Sequence, residues 1–271
     1  ISTPCMLTYA RIAGTGSYLP ERILTNAEME TLVETTDEWI RERTGIRQRH
    51  IAASGQTTGD LAFEAAKRAL DAAGVEPGEI DLIVLGTTTP DIIFPSTACL
   101  IQQKLGIPGC PAFDVNAACS GFLFALSVAD QFIRTGSART VLVVGVETLT
   151  RMVDWTDRTT CVLFGDGAGA VVLGASDEPG IIGGKLQADG AHLGLLKVPA
   201  HMAGGEICGN PYVEMDGPGV FKFAVKTLAK VAEEVIAEAG IGVDEIDWIV
   251  PHQANKRIIE STAKHLSLIH T

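Results

Sequence analysis

Residues 111–136 read PAFDVNAACSGFLFALSVADQFIRTG, and this stretch decides the fold. Ala112–Asn116, bounded by Pro111, is long enough for one buried strand. Two alanines later comes Cys119, then Ser120 and Gly121, then an apolar segment from Phe122 to Ile133 whose length predicts a helix. Phe122, Leu123, Phe124, Leu126, Val128, Phe132 and Ile133 point to nearly every side of it, which predicts a buried rather than an amphipathic helix. A cysteine at a strand-to-helix turn sits where backbone N–H groups and the helix dipole favour the thiolate. On the residues alone Cys119 has two readings, a nucleophile or a packed, inert thiol, because free cysteine is among the most buried residue types.

The same alternation continues on both sides. Arg11–Gly14 reads as a strand, Asn26 as the N-cap of a short helix to Val33, and Asp37 as the start of a helix closed by Gly45. Residues 57–73 form a helix pattern with Leu61, Ala62, Ala65, Ala69 and Leu70 on one face, and strand 81–86 follows. Ser96 caps a helix through Leu105, and 140–147 is the next strand. Helix, strand, helix, strand predicts an α/β class with a largely parallel sheet. Gly165, Gly167 and Gly169 precede a strand at 170–174, not a helix, so they fail the context of a dinucleotide loop and mark close backbone approach. Further on come a strand at 181–188, a loop at 199–213, a helix at 220–239, a strand at 247–250 and a helix at 255–265.

Composition excludes several classes. A net charge of −12 over 271 residues argues against a general nucleic-acid binder. No run approaches the roughly 18 apolar residues of a membrane span, and the first residues lack a signal-peptide pattern. The six cysteines (5, 99, 110, 119, 161, 208) show neither zinc spacing nor a disulfide framework. Reduced thiols in a cytoplasm, with no metal, is the resulting expectation.

An internal repeat adds to this. AGVEPGEIDLIV at 73–84 aligns without a gap on AGIGVDEIDWIV at 239–250, with seven of twelve positions identical. Two similar α/β halves are expected, 9–166 carrying Cys119 and 167–271 following it. After the matched strand the first half runs 63 residues to Glu147, whereas 21 remain after Val250. Equal halves would require roughly forty more residues, so the second half is expected to be incomplete.

These features, with GTGSYLPE, TTDEWIRERTGIRQRHIA, FPSTACLIQ, FGDGAGA and VPHQANKRII, resemble the β-ketoacyl-acyl-carrier-protein synthase III family of the thiolase superfamily. The resemblance covers Ala10 to about Leu266. It implies two thiolase-like halves stacked in five layers (αβαβα), and decarboxylative condensation of a short acyl-coenzyme A with malonyl-acyl carrier protein. Cys119 is then the acyl-accepting nucleophile and His252 the first of a His/Asn pair. Trp39, Arg43, Thr44 and Arg158 fall at coenzyme A positions. Phe94 matches a residue that crosses a homodimer interface into the acyl pocket, and Phe164, Met215, Gly217, Phe221 and Asn255 complete the substrate set. Lys222, Arg257 and Lys264 match the carrier-protein docking site.

No cofactor beyond the coenzyme A thioester substrate is implied. The family's second partner, an asparagine in an HGNTSA motif, and its FGGGFTWG strand do not occur in this sequence. Asn255 does not replace that asparagine, because it belongs to PHQAN. The chain is therefore expected to be acylated but to condense poorly. Two alternatives stand beside this, a related thiolase-superfamily starter synthase and an acyl-coenzyme A-binding fragment.

Overall fold

The computed structural model describes residues 8–266, and Cys5 lies outside them. In chain order the principal elements are β1 (Tyr9–Tyr18), β2 (Arg22–Thr25), α1 (Asn26–Met29), α2 (Asp37–Thr44), β3 (Gln48–Ile51), α3 (Thr58–Ala73), β4 (Leu82–Gly86), α4 (Thr97–Leu105), β5 (Ala112–Val115), α5 (Gly121–Arg134) and β6 (Thr140–Thr148). They continue with α6 (Arg158–Cys161), β7 (Asp166–Ser176), β8 (Leu196–Lys197), β9 (His201–Ala203), β10 (Glu206–Cys208), β11 (Glu214–Met215), α7 (Gly217–Ala239) and α8 (Lys256–His265). The described residues divide into two compact units: 8–22, 50–148 and 166–184 in the first; 23–49, 149–165 and 185–266 in the second.

The first unit is three layers around a five-stranded sheet of order β1-β7-β6-β4-β5. β4 pairs in parallel with β5 and β6, but β7 is antiparallel to both β6 and β1, so the sheet is mixed and not largely parallel. The antiparallel part was hidden because β7 is one long strand that includes the glycines. It pairs over 166–176, so these residues belong to the first sheet and not beyond a boundary at 166/167. Strand alternation sorts the core: Ile83, Leu85, Leu142, Val144 and Val146 pack under α3 and α4, while Leu82, Val84, Val141 and Val143 pack under α5.

Helix α5 is one-sided, contrary to the expectation from its composition. Gly121, Ala125, Ala129 and Ile133 form the buried stripe, and Leu123 is 57 % exposed. Small residues face the sheet because the helix lies very close to it. The helix ends follow the sequence: Thr57 caps α3 with Asp60 reciprocating, Ser96 caps α4, and Gly74 and Gly106 close them at φ 64° and 68°.

In the second unit, α1 and α2 are joined through the buried Asn26, which is not the α1 cap; Thr25 is. The Asn26 Nδ2 donates to Asp37 Oδ1 and to the Ile46 carbonyl, both at 2.8 Å, and its Oδ1 accepts from Arg49 Nη1 at 2.9 Å. α7 packs along α8, and β9 and β10 form a hairpin inside the stretch expected to be a loop. The repeat is real at its first step: Gly74 and Gly240 both close a helix at positive φ, and 3₁₀ turns follow at Pro77–Glu79 and Val243–Glu245. Its second step differs. Leu82–Val84 is a buried strand, while the matching 248–250 is not a strand, with Trp248 78 % and Val250 81 % exposed. Residues 181–188 are likewise not a strand. Ile181 N–H donates to the Ala10 carbonyl of β1 at 2.8 Å, but neither segment goes on to form a ladder, and apolar sequence alone does not hold a strand.

Candidate active site

The turn between β5 and α5 is built by close backbone approach. A Cβ on Gly86, at the end of β4, would stand 2.5 Å from the Gly121 carbonyl carbon, and one on Gly145 of β6 would stand 3.0 Å from Phe122 Cβ. With both side chains absent, the first turn of α5 rests on the sheet. Ala118 takes φ 47°, a left-handed conformation that costs a non-glycine residue on the order of 1 kcal/mol. A 3₁₀ turn at Ala118–Ser120 then delivers Cys119 just ahead of α5, on the exposed side.

The thiol is reachable by solvent, yet the packed backbone around it desolvates it and raises its pKa. The negative charge of Glu147 adds to the rise, and the Cys119 backbone N–H partly opposes it. Burial and charge thus act against the helix dipole expected to favour the thiolate. Glu147, next to last in β6, accepts from the Thr88 N–H at 2.8 Å and from the hydroxyls of Thr88 at 3.0 Å, Thr89 at 2.6 Å and Thr87 at 3.4 Å. Burial pushes its own pKa up, against these bonds. In the same unit, Phe94 is 82 % exposed on the loop before α4.

The second unit holds the other expected residues. The guanidinium carbons of Arg43 and Arg158 lie 4.9 and 5.1 Å from the centroid of the Trp39 ring, within cation–π range. Arg158 Nη1 also donates to the Glu34 carbonyl at 2.9 Å. Thr44 is buried, its hydroxyl donating to the Ile40 carbonyl and accepting from the Ile46 N–H. Met215 pairs with Leu196 across β11 and β8, Gly217 opens α7, and Phe221 follows one turn later. The Arg257 guanidinium carbon lies 5.4 Å from the Phe221 ring centroid. Phe164 is half-buried after α6.

His252 precedes α8, and Asn255 is that helix's N-cap, accepting from the Arg257 N–H at 2.9 Å. Although His252 is open to solvent, the protein around it desolvates its ring and lowers its pKa, which favours the neutral imidazole. Lys222 and Lys264 are exposed on α7 and α8. No group of three or more His, Cys, Asp or Glu suited to a metal ion occurs among the described residues.

Comparison with known proteins places this arrangement. Residues 113–190 match the family described as 3-oxoacyl-[acyl-carrier-protein (ACP)] synthase III, and 236–270 match its C-terminal part. The beta-ketoacyl-[acyl-carrier-protein] synthase III of Neisseria meningitidis serogroup B is 64 % identical over 263 residues, covering 97 % of this chain and 82 % of that protein. The chain belongs to the 3-oxoacyl-[acyl-carrier-protein] synthase III family.

Solved structures agree. The synthase III of Aquifex aeolicus superposes with a TM-score of 0.91 at 46 % identity, covering 96 % of this chain and 81 % of that one. The priming β-ketosynthase of the R1128 polyketide pathway does so at 0.90 and 40 %, covering 99 % and 81 %. The fold is thiolase-like α/β, as the motifs implied. Within this synthase III chain, Cys119 and Phe94 lie in the first unit, and Trp39, Arg43, Thr44, Arg158, Lys222, His252 and Lys264 in the second. Sequence reading missed Glu147 and the glycine pair Gly86 and Gly121. Their signal was present as three consecutive threonines after one buried strand and a lone glutamate at the end of another.

Proposed function

We propose that this synthase III performs the decarboxylative condensation that starts fatty-acid chains, joining a short acyl-coenzyme A to malonyl-acyl carrier protein. The observation that carries the reading is Cys119, exposed on a strained turn at the head of α5. Its thiolate attacks the thioester carbon of acyl-coenzyme A, and the acyl group moves to sulfur as coenzyme A leaves and takes a proton. Backbone N–H groups at the turn stabilise the tetrahedral oxyanion. Malonyl carrier protein then loses CO₂ to give an enolate, whose oxygen accepts a hydrogen bond from the neutral His252 imidazole. The enolate carbon attacks the acyl-enzyme carbonyl, and the Cys119 sulfur departs as thiolate.

Trp39, Arg43 and Arg158 suit the adenine and phosphates of coenzyme A, because an aromatic face beside two guanidinium groups complements both. Phe94, Phe164, Met215, Gly217, Phe221 and Asn255 are assigned to substrate binding, with Thr44 shaping α2. Lys222, Arg257 and Lys264 suit an acidic carrier protein. A cytoplasmic homodimer without resident cofactor completes the reading.

Peptide mass spectrometry after acyl-coenzyme A treatment tests it: an adduct on Cys119 that vanishes in Cys119→Ala is expected, and no adduct on the wild-type residue overturns it. A polyketide priming role is the second reading, motivated by the R1128 likeness. Turnover with a panel of starter acyl groups on the carrier protein of each pathway separates the two.

A further inference from the structure

We infer that Asn26 is a positioning residue for the nucleotide end of coenzyme A, gripping both ends of α2 and, through Arg49, the end of α6. The inference rests on the assignment of Trp39, Arg43 and Arg158 to that nucleotide. Those three side chains come from two separate elements, α2 and α6, and meet at the Trp39 ring. α2 has eight residues and α6 has four, too few for either to hold its place without outside bonds. Those bonds converge on one buried carboxamide. Asn26 Nδ2 donates to Asp37 Oδ1, on the first residue of α2, and to the Ile46 carbonyl, just past the Gly45 cap, both at 2.8 Å. The Asn26 N–H donates to the Arg47 carbonyl at 3.3 Å. Asn26 Oδ1 accepts from Arg49 Nη1 at 2.9 Å. Arg49 Nη2 in turn donates to the carbonyl of Val162, the C-cap of α6, at 2.7 Å.

The donor pattern explains why asparagine stands there. The Asp37 carboxylate and the Ile46 carbonyl can only accept, and the Arg49 guanidinium can only donate. A carboxamide carries both functions on one short side chain. Asn26 and Arg49 are both buried, so a side chain lacking either function would leave a polar group unpaired inside the protein. Thr36 and Glu30 also hold the start of α2, accepting from the N–H groups of Trp39 at 3.1 Å and Asp37 at 2.7 Å. They act on that one end, whereas Asn26 joins the start of the helix to its exit and to α6. Its side-chain hydrogen bonds run to none of Trp39, Arg43 and Arg158, so it acts by placing the elements that carry them.

The test compares two acyl donors, acetyl-coenzyme A and acetyl-pantetheine, the same thioester arm without the nucleotide. Acylation of Cys119 is followed by mass spectrometry in the wild type and in Asn26→Asp, which keeps the size but turns the donor toward Asp37 and Ile46 into an acceptor. KM for acetyl-coenzyme A should rise about five- to tenfold as stacking and cation–π contacts slip, while KM for acetyl-pantetheine stays within about twofold. Combining Asn26→Asp with Asp37→Asn restores a donor–acceptor pair in reverse and should recover part of the loss. A general structural role would weaken both donors alike, and that outcome overturns the inference, as does an unchanged KM for acetyl-coenzyme A. Should circular dichroism show Asn26→Asp unfolded, the same ratio is read on Arg49→Lys, whose single ammonium cannot span Asn26 and Val162 as the guanidinium fork does. An unchanged ratio there overturns the inference too. Equal KM for the two donors in the wild type removes the nucleotide assignment itself, and the inference with it. Calorimetry with coenzyme A alone, on wild type and Asn26→Asp, keeps the comparison independent of Cys119: failure of both donors to acylate falls on the nucleophile, and the affinity ratio still decides.

Discussion

Gly86 and Gly121 meet backbone to backbone: the place a Gly86 Cβ would occupy lies 2.5 Å from the Gly121 carbonyl carbon. Gly86→Ala therefore forces α5 away from the sheet. A loss of about 1–3 kcal/mol in denaturant unfolding is expected, with a larger proportional loss of Cys119 acylation because the turn moves with the helix. A variant that keeps full acylation would show that the contact does not set the cysteine.

Trp39 lies beneath two guanidinium groups that form no ion pair with a carboxylate among the described residues. Trp39→Ala and Arg158→Ala should each weaken coenzyme A binding about three- to tenfold by calorimetry, the range expected for a partly exposed cation–π or stacking contact. Rates with saturating acyl-coenzyme A should change less.

The His252 pKa lies below its ordinary value of 6.5 through desolvation. Decarboxylation of malonyl carrier protein should therefore persist below pH 6.5 and fall only as the imidazole protonates further down. The linkage has the matching sign: protonation is disfavoured in the folded state, so this residue costs stability as pH drops below 6.5. His252→Ala should remove decarboxylation and spare the Cys119 adduct. Equal loss of both would place His252 in the acyl-transfer step as well.

Arg49 is 4 % exposed and held by Asn26 Oδ1 at 2.9 Å and by the Val162 carbonyl at 2.7 Å, and its Nε has no partner. Arg49→Ala empties that site and strands both acceptors, for an expected loss of about 2–4 kcal/mol in denaturant melts. Since Asn26 also holds Asp37 and Ile46, coenzyme A affinity should fall with it. Arg49→Met keeps the volume and should lose less.

Arg257 reaches over Phe221 from the first turn of α8. Charge reversal in Arg257→Glu should raise KM for malonyl carrier protein several-fold and leave acylation from coenzyme A near the wild type. A parallel loss of both activities would place Arg257 in the coenzyme A site.

Local signals were the legible part of this chain. Caps and closing glycines set α3 and α4 within a residue or two and the apolar run set α5, while the place of Cys119 at the head of α5 was readable but its role was left open until the motifs were weighed. Motif likeness added Trp39 and Arg158, which composition could not distinguish from a half-buried aromatic and a solvated cation. What escaped depended on distant partners. The direction of β7 depends on the strands it joins, and Glu147 gains its meaning from threonines 58 to 60 residues away. The exposure of Leu123 is set by what lies opposite α5, not by the helix's own residues.

The repeated dodecapeptide divides folding into two kinds of information. Its helix stop and 3₁₀ turn recur in both copies, so a dozen neighbouring residues suffice to encode them. Its strand forms in one copy only, where β5 and β6 flank it. The turn can close on the timescale of local chain motion, whereas the strand must wait for segments that arrive later in the sequence. Residues 247–250 carry the same apolar signature as β4 and stay irregular, with Trp248 and Val250 left in solvent: the sequence of a strand is local, and its formation is not.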